Sequence, residues 1–241
     1  MKRIIVMALS VVLALGLAMP TALGQVGQGS KASGTASELV AAWWQWALSE
    51  PAATNPLVGS YTGGPKCNGQ PVTATQGKKW FLAGTFTGES VTRTCTIPVG
   101  TQLFFPIVHS VVFLTQPGEN EEEAREIANT HINRVLADPE FRETLVVTVD
   151  GKQVKSNRIV RAESPPGLFT TTLPENNVFQ FYGVPLAAGK YPSVADGLWV
   201  ALPPLSKGEH TIRVAWSAPQ SFRFPQDNTY RLTVVTPNSG S

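Results

Sequence analysis

The sequence predicts a mainly β protein, a single-domain β-sandwich with two accessory α-helices. Three observations predict it. From Thr144 onward the chain is a succession of short runs rich in Val, Ile, Thr and aromatic residues, divided by Gly and Pro clusters. Several runs alternate, so that Leu145, Val147 and Val149 share a face, as do Ile212, Val214 and Trp216, and Tyr230, Leu232 and Val234. Two stretches only, 37–49 and 120–138, carry helical periodicity. About ten strands with short, turn-rich links fit a sandwich, with jelly-roll and immunoglobulin-like topologies both open.

Residues 1–24 read as a secretory signal peptide. Lys2 and Arg3 precede an apolar run from Ile4 to Met19, Pro20 breaks it, and Ala22-Leu23-Gly24 supplies small residues before a cleavage point ahead of Gln25. No Cys directly follows the run, and no later stretch is apolar enough to span a bilayer. The expected location is therefore secreted or periplasmic. Cleavage also resets the charge: 19 Lys+Arg against 17 Asp+Glu become 17 against 17 once Lys2 and Arg3 leave. A neutral chain without a basic run does not suit nucleic acid.

Residues 25–36 are Gly/Ser-rich and read as a flexible leader. The segment 37–49 is a helix, capped by Thr35 or Ser37 and ended before Pro51. It holds Trp43, Trp44 and Trp46, and its apolar residues cover more than half its circumference, the pattern of a buried helix. Neighbouring side chains on a helix point about 100° apart, so Trp43 and Trp44 cannot make one flat platform. Residues 55–77 form a long Gly/Pro/Thr loop. Strand signals at 78–86 and 90–98 flank Thr87-Gly88-Glu89 and read as a hairpin, and 101–114 continues with a bulge or edge at Pro106.

The helix 120–138 takes Asn120 as N-cap with Glu123 at N3, and its glutamates favour the helix dipole. Then strands are expected at 145–154 around the Asp150-Gly151 turn, and at 158–164, 177–184, 196–205, 209–216 and 228–236. Residues 237–241 read as a flexible tail, which leaves 37–236 as one domain.

Motifs exclude more than they assign. There is no G-x-S-x-G elbow, no H-E-x-x-H and no P-loop. His109 sits in an apolar run and His131 on a helix stripe, both as satisfied semi-buried residues; His210 opens a strand and is expected exposed. No two are at metal-ligand spacing, so no metal, cofactor or catalytic residue is assigned. Asp150 and Asp227 read as turn formers. Cys67 and Cys95 are expected to pair once the chain is exported, which in the chain-entropy account stabilises by about 3.5 kcal/mol.

Two features point to binding. In "VTRTCTI" parity puts Thr92, Thr94 and Thr96 on one face and Val91, Arg93, Cys95 and Ile97 on the other. Arg93 then needs open water or a carboxylate or carbonyl partner, and the threonine face could hold an ordered ligand such as ice or a glycan. In "GLWVALPPL" Leu198, Val200 and Leu202 take one face and leave Trp199 as an aromatic on which a sugar could stack. The expected role is thus structural or binding and non-catalytic, with a glycan or cell-envelope partner and no membrane contact after cleavage. A carbohydrate-binding module using exposed aromatics is the first alternative, and an extracytoplasmic hydrolase without a recognisable motif the second.

Four segments, "WWQWALSEPAATNP", "WFLAGTF", "RTCTIPVGTQLFFPI" and "LPPLSKGEHTIR", together resemble a group of exported bacterial hypothetical proteins. The resemblance spans most of the chain after residue 24. It implies export and a single compact unit, and carries no mechanism.

Overall fold

A computed structural model describes residues 5–7, 34–59, 72–74, 77–86, 88–217 and 225–236. Its elements in chain order are β1 (Ile5–Met7), α1 (Gly34–Leu48), β2 (Val72–Ala74), β3 (Gly77–Phe81), β4 (Ser90–Pro98), β5 (Gln102–Phe113), α2 (Glu121–Ala137) and α3 (Pro139–Thr144). Then follow β6 (Val146–Val149), β7 (Lys152–Gln153), β8 (Ile159–Glu163), β9 (Phe169–Leu173), α4 (Val178–Phe181), β10 (Gly189–Leu202), β11 (Gly208–Trp216) and β12 (Gln226–Val235). The protein is mainly β, with two sheets.

The larger sheet runs β2-β3-β5-β10-β8, with β1 also on β5 and β9 also on β10. The smaller runs β4-β12-β11-β6-β7. The pairs β3–β5 and β4–β12 are parallel; the other strand pairs are antiparallel. One apolar cluster takes Leu103, Phe105, Val200 and Leu202 from the larger sheet and Ile97, Ile212, Val214, Leu232 and Val234 from the smaller, so both sheets share a core. A second cluster, on the opposite face of the larger sheet, packs Phe81, Phe104, Phe113 and Trp199 against α1. Pro106 stands opposite Trp199 where the β5–β10 register shifts, the irregularity expected of a proline within a ladder.

The structure departs from the sequence reading in several places. β3 and β4 are not a hairpin but belong to different sheets. The segment between them crosses the core: Leu82 N donates to Phe104 O on the larger sheet (3.4 Å), while Ala83 O accepts from Tyr230 Oη on the smaller (2.8 Å). The segment 177–184 is not a strand but contains the one-turn α4. Asn177 caps it by accepting from Phe179 N and Gln180 N, and Gln180 answers onto Asn177 N. That capping box outweighs the β propensity of Val178 and Phe179. β10 begins at Gly189 rather than near Asp196, and its first part pairs with β9, whose "FTTTL" run the sequence reading did not assign. The expected helix 120–138 is present as α2 but is followed by a second helix, because Asp138 closes α2 and caps α3 by accepting from Glu140 N and Phe141 N. Finally, α1 starts at Gly34, so Thr35 and Ser37 lie inside it. Its far end is set by Pro51 and by Asn55, whose Nδ2 donates to Ala47 O (2.9 Å) and Glu50 O (2.8 Å). Asn120 caps α2 as expected, accepting from Glu123 N at 2.9 Å.

Candidate functional site

The outer face of the smaller sheet is polar and, among the described residues, largely exposed or half-buried. Thr92, Thr94 and Thr96 are exposed on β4, and Val91, Arg93, Cys95 and Ile97 are buried, as strand parity requires. The register extends the threonine face across the neighbouring strands. Thr92 lies opposite Thr229, which lies opposite Arg213, which lies opposite Thr148. The next row is Thr94, Arg231 and Thr211, and the third is Thr96, Thr233 and Glu209. With strands about 4.8 Å apart and same-face residues about 6.7 Å apart along each strand, the hydroxyls form a two-dimensional array. Arg213 is tied to Asp227 by two hydrogen bonds (2.9 and 3.1 Å), and Glu209 accepts from Thr233 Oγ1 (3.1 Å). Asp227 is therefore a strand residue in an ion pair and not a turn former. Arg231 is exposed in the middle row and makes no ion pair among the described residues. Its central position in the face is visible only once β12 is placed between β4 and β11.

Arg93 finds a carbonyl: its Nη2 donates to Gly84 O at 3.1 Å inside the core. Gly84 itself leaves room for the Asn228 side chain, because a Cβ there would meet Asn228 Nδ2 at 2.9 Å.

Trp199 is removed from the candidate site. Its relative exposure is 0%, its ring stacks on Phe104 (centroids 5.0 Å, planes 10° apart), and its Nε1 donates to Ala162 O at 3.2 Å. The reason is that α1 covers this face of the sheet. Trp43 and Trp44 are buried with it, and their planes cross at 88°. His109 lies against Trp43, Trp44 and Trp199 at centroid distances of 4.8, 4.7 and 5.8 Å. Burial pushes its pKa down to about 3, so the ring is neutral, and its Nε2 has no hydrogen-bond partner among the described residues. The expected satisfied histidine is instead held by ring contacts. Gly197, opposite His109, is required here: a Cβ would meet Val108 O and Trp199 Nε1, each at 2.8 Å. The most exposed large aromatic among the described residues is Phe181, at 57%, and Tyr182 crosses it at 83°, so the two do not form a flat stacking row.

The acid–base groups assemble in ways the sequence did not show. His210, expected exposed, is bound on both nitrogens. Nδ1 is 2.8 Å from Asp150 Oδ2, and Nε2 is 3.2 Å from Ser206 Oγ and 2.9 Å from Ser206 O. The order acid, imidazole, hydroxyl is that of a hydrolytic triad. A carboxylate and a carbonyl only accept, so the contacts to Asp150 Oδ2 and Ser206 O both favour a proton on the ring nitrogen, and an imidazolium would be unable to take the serine proton. The hydrogen bond to Asp150, opposed by partial burial and helped by the Ser206 carbonyl, holds the His210 pKa above 6.5. The partners lie 60 positions apart in sequence, and no local pattern joins them.

A second network lies between α2 and the larger sheet. Asp196 is fully buried and accepts from Gly197 N (2.7 Å) and from Arg161 Nη2 (2.6 Å), while Arg161 Nη1 reaches Asn133 Oδ1 (2.5 Å). Burial raises the Asp196 carboxyl above 3.8, against the pull of Arg161. A groove of about 700 Å³ follows α2, lined by Glu121, Glu122, Arg125, Glu126, Asn129, Thr130 and Asn133. It contains no histidine or cysteine, and Arg125 on its rim is already occupied by Glu121, Glu163 and the carbonyls of Ser164, Pro165 and Gly167. Among the described residues no group of three or more His, Cys, Asp or Glu side chains could hold a metal ion. Cys95 is buried, no free cysteine occurs among the described residues, and its expected partner Cys67 lies outside them.

No protein-family model matches the chain, and no curated protein matches it. Among solved structures it is similar to the solution structure of amebosin, at 14% identity over 61% of this chain and 96% of that chain, with a TM-score of 0.19. A likeness of that size carries no argument about fold or function.

Proposed function

We propose that this chain is an exported, non-catalytic β-sandwich with a binding role, and that the outer face of the smaller sheet is its ligand surface. The observation that carries the reading is the array of exposed Thr92, Thr94, Thr96 and Thr211 and half-buried Thr229 and Thr233 around Arg231, on a molecule whose Trp43, Trp44 and Trp199 are packed away. Each threonine hydroxyl both donates and accepts, and Arg231 offers a planar fork of donors. A polyhydroxylated polymer of the cell envelope satisfies both. The carbohydrate-module alternative moves with it, from aromatic stacking to hydroxyl pairing.

The test is a glycan array, followed by pull-down on insoluble envelope polysaccharide. Thr94→Glu places a like-acceptor charge in the central row. It is expected to weaken binding by tenfold or more, about 1.4 kcal/mol, with stability changed by no more than about 0.5 kcal/mol, as for exposed sites. Wild-type affinity in Thr94→Glu would remove this face from the proposal. An array without any hit would leave the structural role.

Export and the disulfide belong to the same reading. Intact mass of the protein recovered from the producing cell is expected to begin at or near Gln25 and to be lighter by two hydrogens than the reduced chain. A mass that includes residues 1–24 contradicts export by cleavage, and a fully reduced mass contradicts the Cys67–Cys95 bond.

A further inference from the structure

We propose that Asp150, His210 and the Ser206–Gly208 loop form a proton-operated clasp, closed in a mildly acidic medium and released as the medium becomes alkaline, that fixes one end of the smaller sheet. The clasp does not depend on which ligand the outer face takes.

The geometry joins three chain segments at one ring. Asp150 sits in the turn between β6 and β7 with φ +52°, and its two carboxylate oxygens are divided between two partners. Oδ1 accepts from Thr211 N at 2.8 Å, and Oδ2 accepts from His210 Nδ1 at 2.8 Å. Asp150 N in turn donates to Thr211 O at 2.8 Å. On the far side of the ring, Nε2 donates to the Ser206 carbonyl at 2.9 Å and so holds the loop between β10 and β11. The His210 side chain is 11% exposed although its partners are largely open, so water does not readily replace either contact.

Both contacts need a proton on the ring. When the imidazolium loses one, a nitrogen lone pair faces either the carboxylate or the carbonyl, and that contact becomes repulsive. The charged groups around the ring favour the closed form. Asp150 faces it from the turn and Glu209 from β11; Glu209 is itself held by Thr233 Oγ1. Leu232 of β12, the residue paired with His210, is apolar. Lys152, beyond the turn, acts on Asp150. Lys207, next to Ser206, is exposed and makes no ion pair among the described residues.

The pH window follows from the two shifts. His210 is raised above 6.5, so its contribution is complete below that value and is lost as pH rises through the folded pKa. For Asp150, partial burial works upward, but the hydrogen bonds from His210 and the Thr211 amide outweigh it and hold the carboxyl below 3.8. Its contribution is present above 3.8 and is lost as pH falls through the depressed value. The clasp is therefore closed between the two and opens on the alkaline side of His210.

NMR of the imidazole nitrogens in the full chain tests this, with amide hydrogen exchange of Lys207, Gly208 and Thr211 as a second readout. In the wild type the His210 pKa is expected above 6.5, both nitrogens protonated below it, and loop protection lost as pH passes it. Asp150→Asn is expected to bring the His210 pKa down and to remove the protection of Thr211. Ser206→Ala is expected to change neither, because the carbonyl and not the hydroxyl holds Nε2. A wild-type His210 pKa at or below 6.5 would overturn the clasp. So would a neutral ring whose Nε2 accepts from Ser206 Oγ, revealed by a pKa that falls or rises in Ser206→Ala.

Discussion

Trp43→Ala is expected to destabilise the protein by about 3–5 kcal/mol, the range for truncating a large buried aromatic. Trp43 has 0% relative exposure and sits where α1 meets the larger sheet. It makes edge contacts with Trp44, Trp46, Trp199 and His109 at centroid distances of 5.1, 6.0, 5.5 and 4.8 Å. Its Nε1 also donates to Leu82 O at 3.0 Å, in the segment that crosses between the sheets. Truncation thus leaves a cavity and a buried carbonyl without its donor, and the two costs add. For a domain of this size each kcal/mol lowers the melting temperature by roughly 2–4 °C, so a drop of roughly 6–20 °C is expected by calorimetry. Trp44 separates the two terms. It is equally buried, but its Nε1 has no hydrogen-bond partner among the described residues, so Trp44→Phe is expected to cost less than Trp43→Phe. Mutants that melt at the wild-type temperature and lose glycan binding would make the tryptophans a recognition surface and sink the proposed ligand face.

Arg161→Ala is expected to cost about 3 kcal/mol, because it strands a buried carboxylate. Asp196 is 0% exposed on β10, while the Arg161 side chain on β8 is 34% exposed, which sets the expectation at the low end of the usual 3–5 kcal/mol for breaking a buried pair. The Gly197 amide remains as a donor but supplies no charge. Adding Asp196→Asn to Arg161→Ala is expected to recover part of the loss, since the neutral amide needs no counter-charge; a double-mutant cycle in urea measures it. The pH dependence has a definite sign. Burial raises the Asp196 carboxyl above its unfolded value, so the native state takes up the proton first and stability falls as pH rises through that interval. Without Arg161 the interval extends upward, and the variant is expected to lose more stability at neutral than at mildly acidic pH. A loss independent of pH would show that Arg161 acts through packing of its stem and not through its charge.

What the sequence determined by itself was local. Alternation placed Thr92, Thr94 and Thr96 outward and Arg93 and Cys95 inward, because a strand's period of two needs no knowledge of its partners. The apolar circumference of the tryptophan helix required burial for the same reason, and the Asn120 cap of α2 was legible because its partner is three residues away. What only the tertiary structure decided was non-local. Parity left Trp199 facing away from Leu198 and Val200, but whether that face met water or α1 depends on a helix some 150 positions earlier in the chain. The 78–86 and 90–98 runs looked like a hairpin because turn residues lie between them, yet buried Leu82 and Ala83 carry the chain from one sheet to the other, and their hydrogen bonds to Phe104 and Tyr230 cannot be read locally. His210 has the same lesson. A histidine at a strand start reads as solvated, and it is held at both nitrogens only because the register of β6 against β11 brings Asp150 to one nitrogen while the β10–β11 loop brings a carbonyl to the other. Period and capping are written within a few residues; register, sheet membership and the charge state of a side chain are set by groups that folding alone brings within hydrogen-bond distance.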